Sequence, residues 1–161
     1  MQLMKNILKM AAVGIMLIFT AQACRKKSTD MYDASSKLEG IQDVWVLNDV
    51  KQFDPSNKDL TIDVTDAFTG ATPIELDIHS KDSATFTFNQ ANPLFLGTKG
   101  TWRFDDNNFP TQIEMTGDAG IQTVKLLQTV RTVDQILSIQ LTRYCGGGTP
   151  STIYQFNFVR K

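Results

Sequence analysis

Few side chains in this sequence have the type and spacing that catalysis or metal binding requires. His79 is the only histidine, and it alternates with Ile78 on a predicted strand, so we expect it to face solvent. No cysteine or second histidine supports a metal site around it. Glu75 and Asp77 on the same strand are the residue types that act as paired carboxylates in glycosidases. The strict alternation instead predicts an ordinary polar strand face.

Two further segments carry polar or reactive groups between predicted strands. Residues 105–108 (Asp-Asp-Asn-Asn) offer oxygen ligands suited to calcium, but they lack the spaced ligands and distal glutamate of a calcium loop, so we predict a hairpin turn. Cys145 precedes three glycines, which predicts a hairpin connection beside an inert thiol, with a reactive thiol as the alternative. The sequence contains no phosphate-binding loop or nucleophile elbow. It therefore predicts a protein that is not an enzyme and binds no metal or cofactor.

The N-terminal residues are typical of a bacterial lipoprotein signal. Two lysines precede an uncharged apolar run at residues 10–19, which is shorter than the roughly 20 residues that span a bilayer core. Ala21 and Ala23 provide small residues before Cys24, although the strict signal has leucine where Ala21 stands. We predict removal of residues 1–23 and attachment of a diacylglyceryl group to the Cys24 sulfur. Ordinary secretion and a retained anchor are the alternatives, and all three place the domain outside the cytoplasm.

The segment after the cleavage site predicts a tethered domain whose stability depends on its hydrophobic core. Loss of residues 1–23 leaves 14 basic and 17 acidic side chains, a formal net charge of −3, which argues against nucleic acid as a partner. Residues 24–37 lack apolar periodicity, so we predict a lipidated cysteine followed by a flexible tether. With Cys24 lipidated, Cys145 has no intramolecular partner, and the fold must be stable without a disulfide.

From residue 38 to residue 161 the chain alternates apolar and polar side chains, which is typical of half-buried β-strands. Turn-forming residues separate nine candidate strands: residues 45–50, 60–64, 74–79, 84–88, 101–104, 113–115, 121–130, 137–141 and 154–158. The connections are short and no long crossover is evident. We therefore predict an all-β domain, an up-and-down meander barrel of about eight to ten antiparallel strands, with a β-sandwich as the alternative.

A set of aromatic side chains shares one parity on separate strands and should face the interior. Core packing is one explanation, because side chains fill a small barrel. A pocket for an apolar or amphiphilic ligand is the other. The candidate ligand-binding residues are therefore Phe86, Phe88, Trp102, Phe104, Tyr154, Phe156 and Phe158.

Several short motifs resemble those of lipocalin-like lipoproteins from Bacteroidota-type cell envelopes. Leu38-x-Gly40 followed by Trp45 is similar to the Leu-x-Gly-x-Trp opening of lipocalins, although four residues separate Gly40 from Trp45 where lipocalins have one. Further similar stretches are residues 100–106, 109–113 and 141–143. The resemblance implies a lipocalin-like barrel anchored by lipid to the outer membrane, with its domain in the periplasm or at the cell surface. Ser83, within residues 82–84, also matches the short O-glycosylation acceptor pattern of that phylum.

These observations leave two functional hypotheses. In the first, the chain is a lipid-anchored binding module that holds a small hydrophobic or glycan-type ligand in its barrel. In the second, the barrel is filled, and the chain is a structural or interaction subunit of an envelope complex that acts through its rim loops. The expected partners are the membrane, through Cys24, and either the ligand or an envelope protein.

Overall fold

A computed structural model describes residues 34–57, 59–80 and 84–161 of the chain. These residues form one short α-helix, a single 3-10 turn at Thr65–Ala67, and nine β-strands, each of which overlaps one of the nine predicted strands. Their bounds are α1 (Ala34–Ile41), β1 (Asp43–Phe53), β2 (Thr61–Asp63), β3 (Glu75–His79), β4 (Thr85–Phe88), β5 (Lys99–Phe104), β6 (Gln112–Gly117), β7 (Gly120–Leu126), β8 (Ile136–Tyr144) and β9 (Pro150–Arg160). Over these ranges no helix is both long and apolar enough to cross a bilayer.

Some sequence predictions fall outside the described residues. They are the signal peptide, lipidation of Cys24 and the acceptor pattern at Ser83.

The strands form a closed antiparallel barrel with meander topology. Neighbours follow chain order from β3 to β9, and β1 closes the wall by pairing with β9 on one side and β3 on the other. The short β2 pairs with residues 51–53 of β1, beyond the stretch that β3 covers. Eight strands therefore close the barrel and β2 extends its wall. The predicted all-β meander barrel is confirmed, and the sandwich alternative is wrong.

Alternating side chains of the wall fill the interior. Along β5, Trp102 and Phe104 are buried opposite Met115 and Ile113 of β6. An irregularity between Leu47 and Asp49 shifts the register of β1 against β9, which lets β1 bury side chains on both sides of it. Burying one large apolar side chain contributes about 1.5–3 kcal/mol. The buried side chains of all strands except β2 form one hydrophobic core.

The barrel end where β1 begins and β9 ends, here called the near end, is covered by α1. Ile41 is fully buried, and its carbonyl accepts a 2.8 Å hydrogen bond from the indole N–H of Trp45. The guanidinium carbon of Arg160 lies 4.9 Å from the centroid of that indole ring, a cation–π arrangement. A helix before β1 therefore closes this end of the barrel.

The folded domain begins earlier than the predicted boundary at residue 38. The sequence predicts a tether through Lys37, whereas α1 starts at Ala34 and the Lys37 side chain is buried. Lys37 and Ile41 lie one helical turn apart and so occupy the same buried face. Residues 34–37 are mainly polar, so the start of this helix lacks the apolar periodicity that would predict it.

The opposite end of the barrel, here called the far end, is covered by loop side chains. Residues 89–98 between β4 and β5, here called the far-end loop, bury Leu94 and Phe95. The ring centroid of Phe95 lies 4.7 Å from that of Phe88 and 5.1 Å from that of Phe156, so it bridges two strands that are not neighbours. Phe68 lies 5.6 Å from Phe156, edge to face. Both ends of the barrel are thus covered from within the chain.

Candidate functional site

The structure brings the predicted aromatic residues together inside the barrel. Trp102 lies 5.1 Å from Phe104 between ring centroids, and its indole N–H donates a 3.0 Å hydrogen bond to the carbonyl of His79. A ligand in this space would have to displace side chains that already pack against one another. Six of the seven are buried and Tyr154 is half-buried; the full set is Phe86, Phe88, Trp102, Phe104, Tyr154, Phe156 and Phe158.

Residues of the barrel wall line three open clefts on the described surface, and the far-end loop contributes to one of these. Phe104 is the one member of the aromatic set that borders any of these three. Two of the clefts adjoin each other, since both are lined by Gln122, Leu141, Thr142 and Tyr144. The candidate site therefore lies in the wall between β7 and β8.

This opening results from incomplete pairing of two neighbouring strands. The ladder between β7 and β8 joins Lys125 to Gln140 and Leu126 to Ile139. Toward the far end, residues 120–124 of β7 pair with β6, and residues 141–144 of β8 pair with β9, with no ladder between the two stretches among the described residues. The wedge between them, here called the β7–β8 cleft, has a volume of about 510 Å³. Its lining residues are Gln112, Ile121, Gln122, Thr123, Lys125, Gln140, Leu141, Thr142 and Tyr144.

The cleft combines hydrogen-bonding groups with two exposed apolar side chains. Ile121 is 64% exposed and Tyr144 is 62% exposed, one on each strand that borders the wedge. Strand edges without a neighbour present backbone N–H and C=O groups to an incoming partner. The chemistry fits an extended polypeptide, or a polar molecule that accepts hydrogen bonds and contacts an aromatic ring.

The far-end loop lies beside the cleft and is held in place by hydrogen bonds with side chains of β7 and β8. The amide of Gln122 donates to the carbonyl of Leu94 at 2.8 Å and accepts from the N–H of Leu96 at 3.1 Å. The guanidinium of Arg143 donates to the carbonyl of Pro93 at 3.0 Å. One loop therefore covers the far end of the barrel and lines the opening that adjoins the β7–β8 cleft.

The polar residues singled out on β3 are part of the outer surface. His79 is exposed, as predicted, with its Nε2 3.1 Å from a carboxylate oxygen of Asp77. Glu75 forms a 2.8 Å ion pair with the ammonium of Lys161. Within the described ranges no three His, Cys, Asp or Glu side chains are grouped so that they could hold a metal ion.

The loop at residues 105–108 is the predicted turn. Slight desolvation alone would raise the pKa of Asp105, but hydrogen bonds from the Thr111 hydroxyl and from the backbone N–H groups of Gln112 and Thr111 outweigh it and lower the pKa to about 2. The donors are 2.6–3.0 Å from the carboxylate oxygens. This carboxylate therefore stabilises the β5–β6 connection.

The glycine-rich segment after β8 is also the predicted hairpin connection. Cys145 is a free, exposed thiol whose backbone N–H bonds to the carbonyl of Thr149. Gly147 and Gly148 have φ values of 94° and 79°, which L side chains rarely adopt. The inertness of the thiol stays a prediction.

Sequence reasoning missed the β7–β8 cleft. Alternation specifies which face of a strand a side chain occupies, but it carries no information on how far two neighbouring strands pair. The predicted strand at residues 121–130 runs past the observed end of β7 at Leu126. The alternation pattern therefore did not indicate where β7 ends. No signal in the sequence indicates the divergence of β7 from β8.

Comparisons with known proteins find no matching family model, no similar curated protein and no similar solved structure. Function is therefore argued from the geometry of the barrel and its cleft.

Proposed function

We propose that this chain is a lipid-anchored, non-enzymatic protein of the bacterial cell envelope, with a lipocalin-like barrel that acts as a filled scaffold. Its binding surface is the β7–β8 cleft, where it engages another component of the envelope. The observation that carries this proposal is the contrast between interior and wall. The aromatic side chains are packed in a core with both ends covered, whereas the wall has an open cleft between two unpaired strand edges.

Anchoring rests on the sequence before the domain. An apolar run, small residues and Cys24 stand in the order of a lipoprotein signal, and three basic residues follow at 25–27, where they would face anionic lipid headgroups. The full chain should partition into detergent with an acylated Cys24, and Cys24→Ser should release it into the aqueous phase. A soluble protein that begins at Cys24 and has no lipid mass would contradict the anchor.

A protein partner at the cleft follows from the unpaired edges of β7 and β8. An extended segment can add to such an edge through backbone hydrogen bonds, with side chains contacting Ile121 and Tyr144. A photo-crosslinking amino acid at position 144 should form a discrete adduct in intact cells. The matched control carries the same photo-crosslinking amino acid in place of Thr101, which is exposed on β5. Equal labelling at both positions, or none at 144, would argue against the cleft as the binding surface.

A glycan-type ligand in the same cleft is the second candidate. The cleft places amide and hydroxyl groups of Gln140, Thr123 and Thr142 beside the exposed ring of Tyr144. Soluble envelope oligosaccharides should then shift the amide NMR signals of β7 and β8, and Tyr144→Ala should abolish the shifts. Absent shifts together with a protein adduct at position 144 would assign the cleft to a protein partner.

A further inference from the structure

The loop that joins β7 to β8 at the near end, together with the first residue of β8, carries exposed hydrophobic side chains. This segment, residues 127–135, is here called the near-end loop. It buries Val130 completely, but Val133 is 72% exposed and Ile136, which follows the loop, is 47% exposed. Leu127 is partly exposed, and its N–H bonds to the carbonyl of Ser138, which brings the two flanks of the loop together. Exposed apolar side chains grouped in this way indicate a surface that contacts an apolar environment.

The chain enters the domain beside this loop. Gly40 in α1 packs so closely that a Cβ atom there would lie 2.8 Å from the carbonyl carbon of Arg131. The guanidinium of Arg160 donates to the carbonyl of Gly40 and to that of Thr132, both at 2.9 Å. Since α1 has eight residues and is about 12 Å long, its first residue, Ala34, lies within about that distance of the near-end loop.

If Cys24 carries lipid, the length of chain between Cys24 and α1 favours the near end as the end that contacts the bilayer. Nine residues separate Cys24 from Ala34, and the ten Cα-to-Cα steps between these two residues span at most about 36 Å when fully extended. Wall strands such as β8 and β9 have nine and eleven residues, and with the usual strand tilt they give a barrel height of about 25 Å. The far end could reach the bilayer only if most of the connecting length were extended. The near end requires no such extension.

The charge of the near-end loop also suits a lipid surface. Arg131 and Asp134 are its two charged residues, and they form an ion pair at 2.9 Å. The loop therefore carries no net charge into the headgroup region. Val133 lies between these paired residues in the sequence and is largely exposed.

We infer that the near-end loop rests on the lipid bilayer, with Val133 and Ile136 in the interfacial region. The inference depends on the proposed lipidation of Cys24, and it fixes the orientation of the barrel. The far end, the β7–β8 cleft and Cys145 then face away from the membrane, where a partner can reach the cleft.

The lipidated full-length chain in vesicles of phosphatidylethanolamine and phosphatidylglycerol provides the test. A fluorophore on Cys145 reports on the far end, and a fluorophore on Val133→Cys in a Cys145→Ser background reports on the near end. Lipids with nitroxide groups on their acyl chains should quench the near-end label several-fold more strongly than the far-end label. Ile136→Asp, a change at a half-exposed side chain, should weaken that quenching while the circular dichroism spectrum stays unchanged.

The outcomes distinguish this inference from the proposed anchor. Acylated protein that floats with the vesicles while the label at 133 remains unquenched, or is quenched no more than the label at 145, overturns the orientation but leaves the anchor intact. A label at 133 that is already shielded from water without vesicles assigns the loop to contact between copies, and also overturns the orientation. Protein without acyl mass that fails to float overturns both proposals.

Discussion

At the scale of single residues, Asp105 shows how a side chain that suggested chemistry acts as a structural group. Its carboxylate accepts hydrogen bonds from residues 111 and 112, and these outweigh the effect of burial and lower its pKa from 3.8 to about 2. A carboxyl group with a lower pKa in the folded state stabilises the fold above its unfolded pKa. This stabilisation should be lost as the pH falls from about 4 through about 2.

Asp105→Asn should therefore lower stability at neutral pH and reduce its dependence on acid. We expect a loss of about 1 kcal/mol at pH 7, since solvent screens this exposed turn. Urea unfolding across the acid range measures the effect, with Asp118→Asn in the exposed β6–β7 turn as the control. Equal acid sensitivity of the wild-type protein and Asp105→Asn would contradict the role assigned to this carboxylate.

Side-chain direction was the property that the sequence specified best. The inward parity of Trp102 and Phe104 and the outward position of His79 follow from a period of two residues, which any half-buried strand imposes. The side chains from the connections that fill the barrel between opposite walls could not be predicted from this period. Phe68 and Phe95 belong to connections with no periodicity, yet both pack against Phe156.

At the scale of elements, the seating of α1 on the near-end loop depends on a glycine. A Cβ atom at Gly40 would lie 2.8–3.0 Å from three backbone atoms of Arg131, so one of the two segments would have to move. Gly40→Ala should therefore destabilise the domain by about 1–3 kcal/mol, as expected for overpacking. Gly70→Ala is the matched control, because a Cβ atom there meets nothing within 4 Å.

Chemical denaturation of the two variants compares them directly. The control should change stability by no more than about 0.5 kcal/mol. If Gly40→Ala were no more destabilising than Gly70→Ala, α1 would not be held against the near-end loop as described. Neither the seating of α1 on the near-end loop nor the limited pairing of β7 with β8 could be predicted, since both depend on contacts between segments distant in sequence.

At the scale of the whole molecule, the strand order followed from the sequence through the short connections, which favour pairing of consecutive strands. Closure brings β1 and β9 together from opposite ends of the domain. It also places the chain entry and the exposed Val133 at one end, and Cys145 at the other. The barrel thereby separates a surface suited to lipid from a cleft suited to a partner.

The central claim, that the barrel is a filled scaffold and not a container, is tested most directly with Trp102→Ala. Free energy of unfolding in urea and affinity for an apolar fluorescent probe should be measured on this variant and on the wild-type protein. A filled barrel predicts a loss of about 3–5 kcal/mol, because a large buried ring is removed, and no probe binding by the wild-type protein. A small loss of stability, with weakened binding of a probe that the wild-type protein binds well, would contradict the claim.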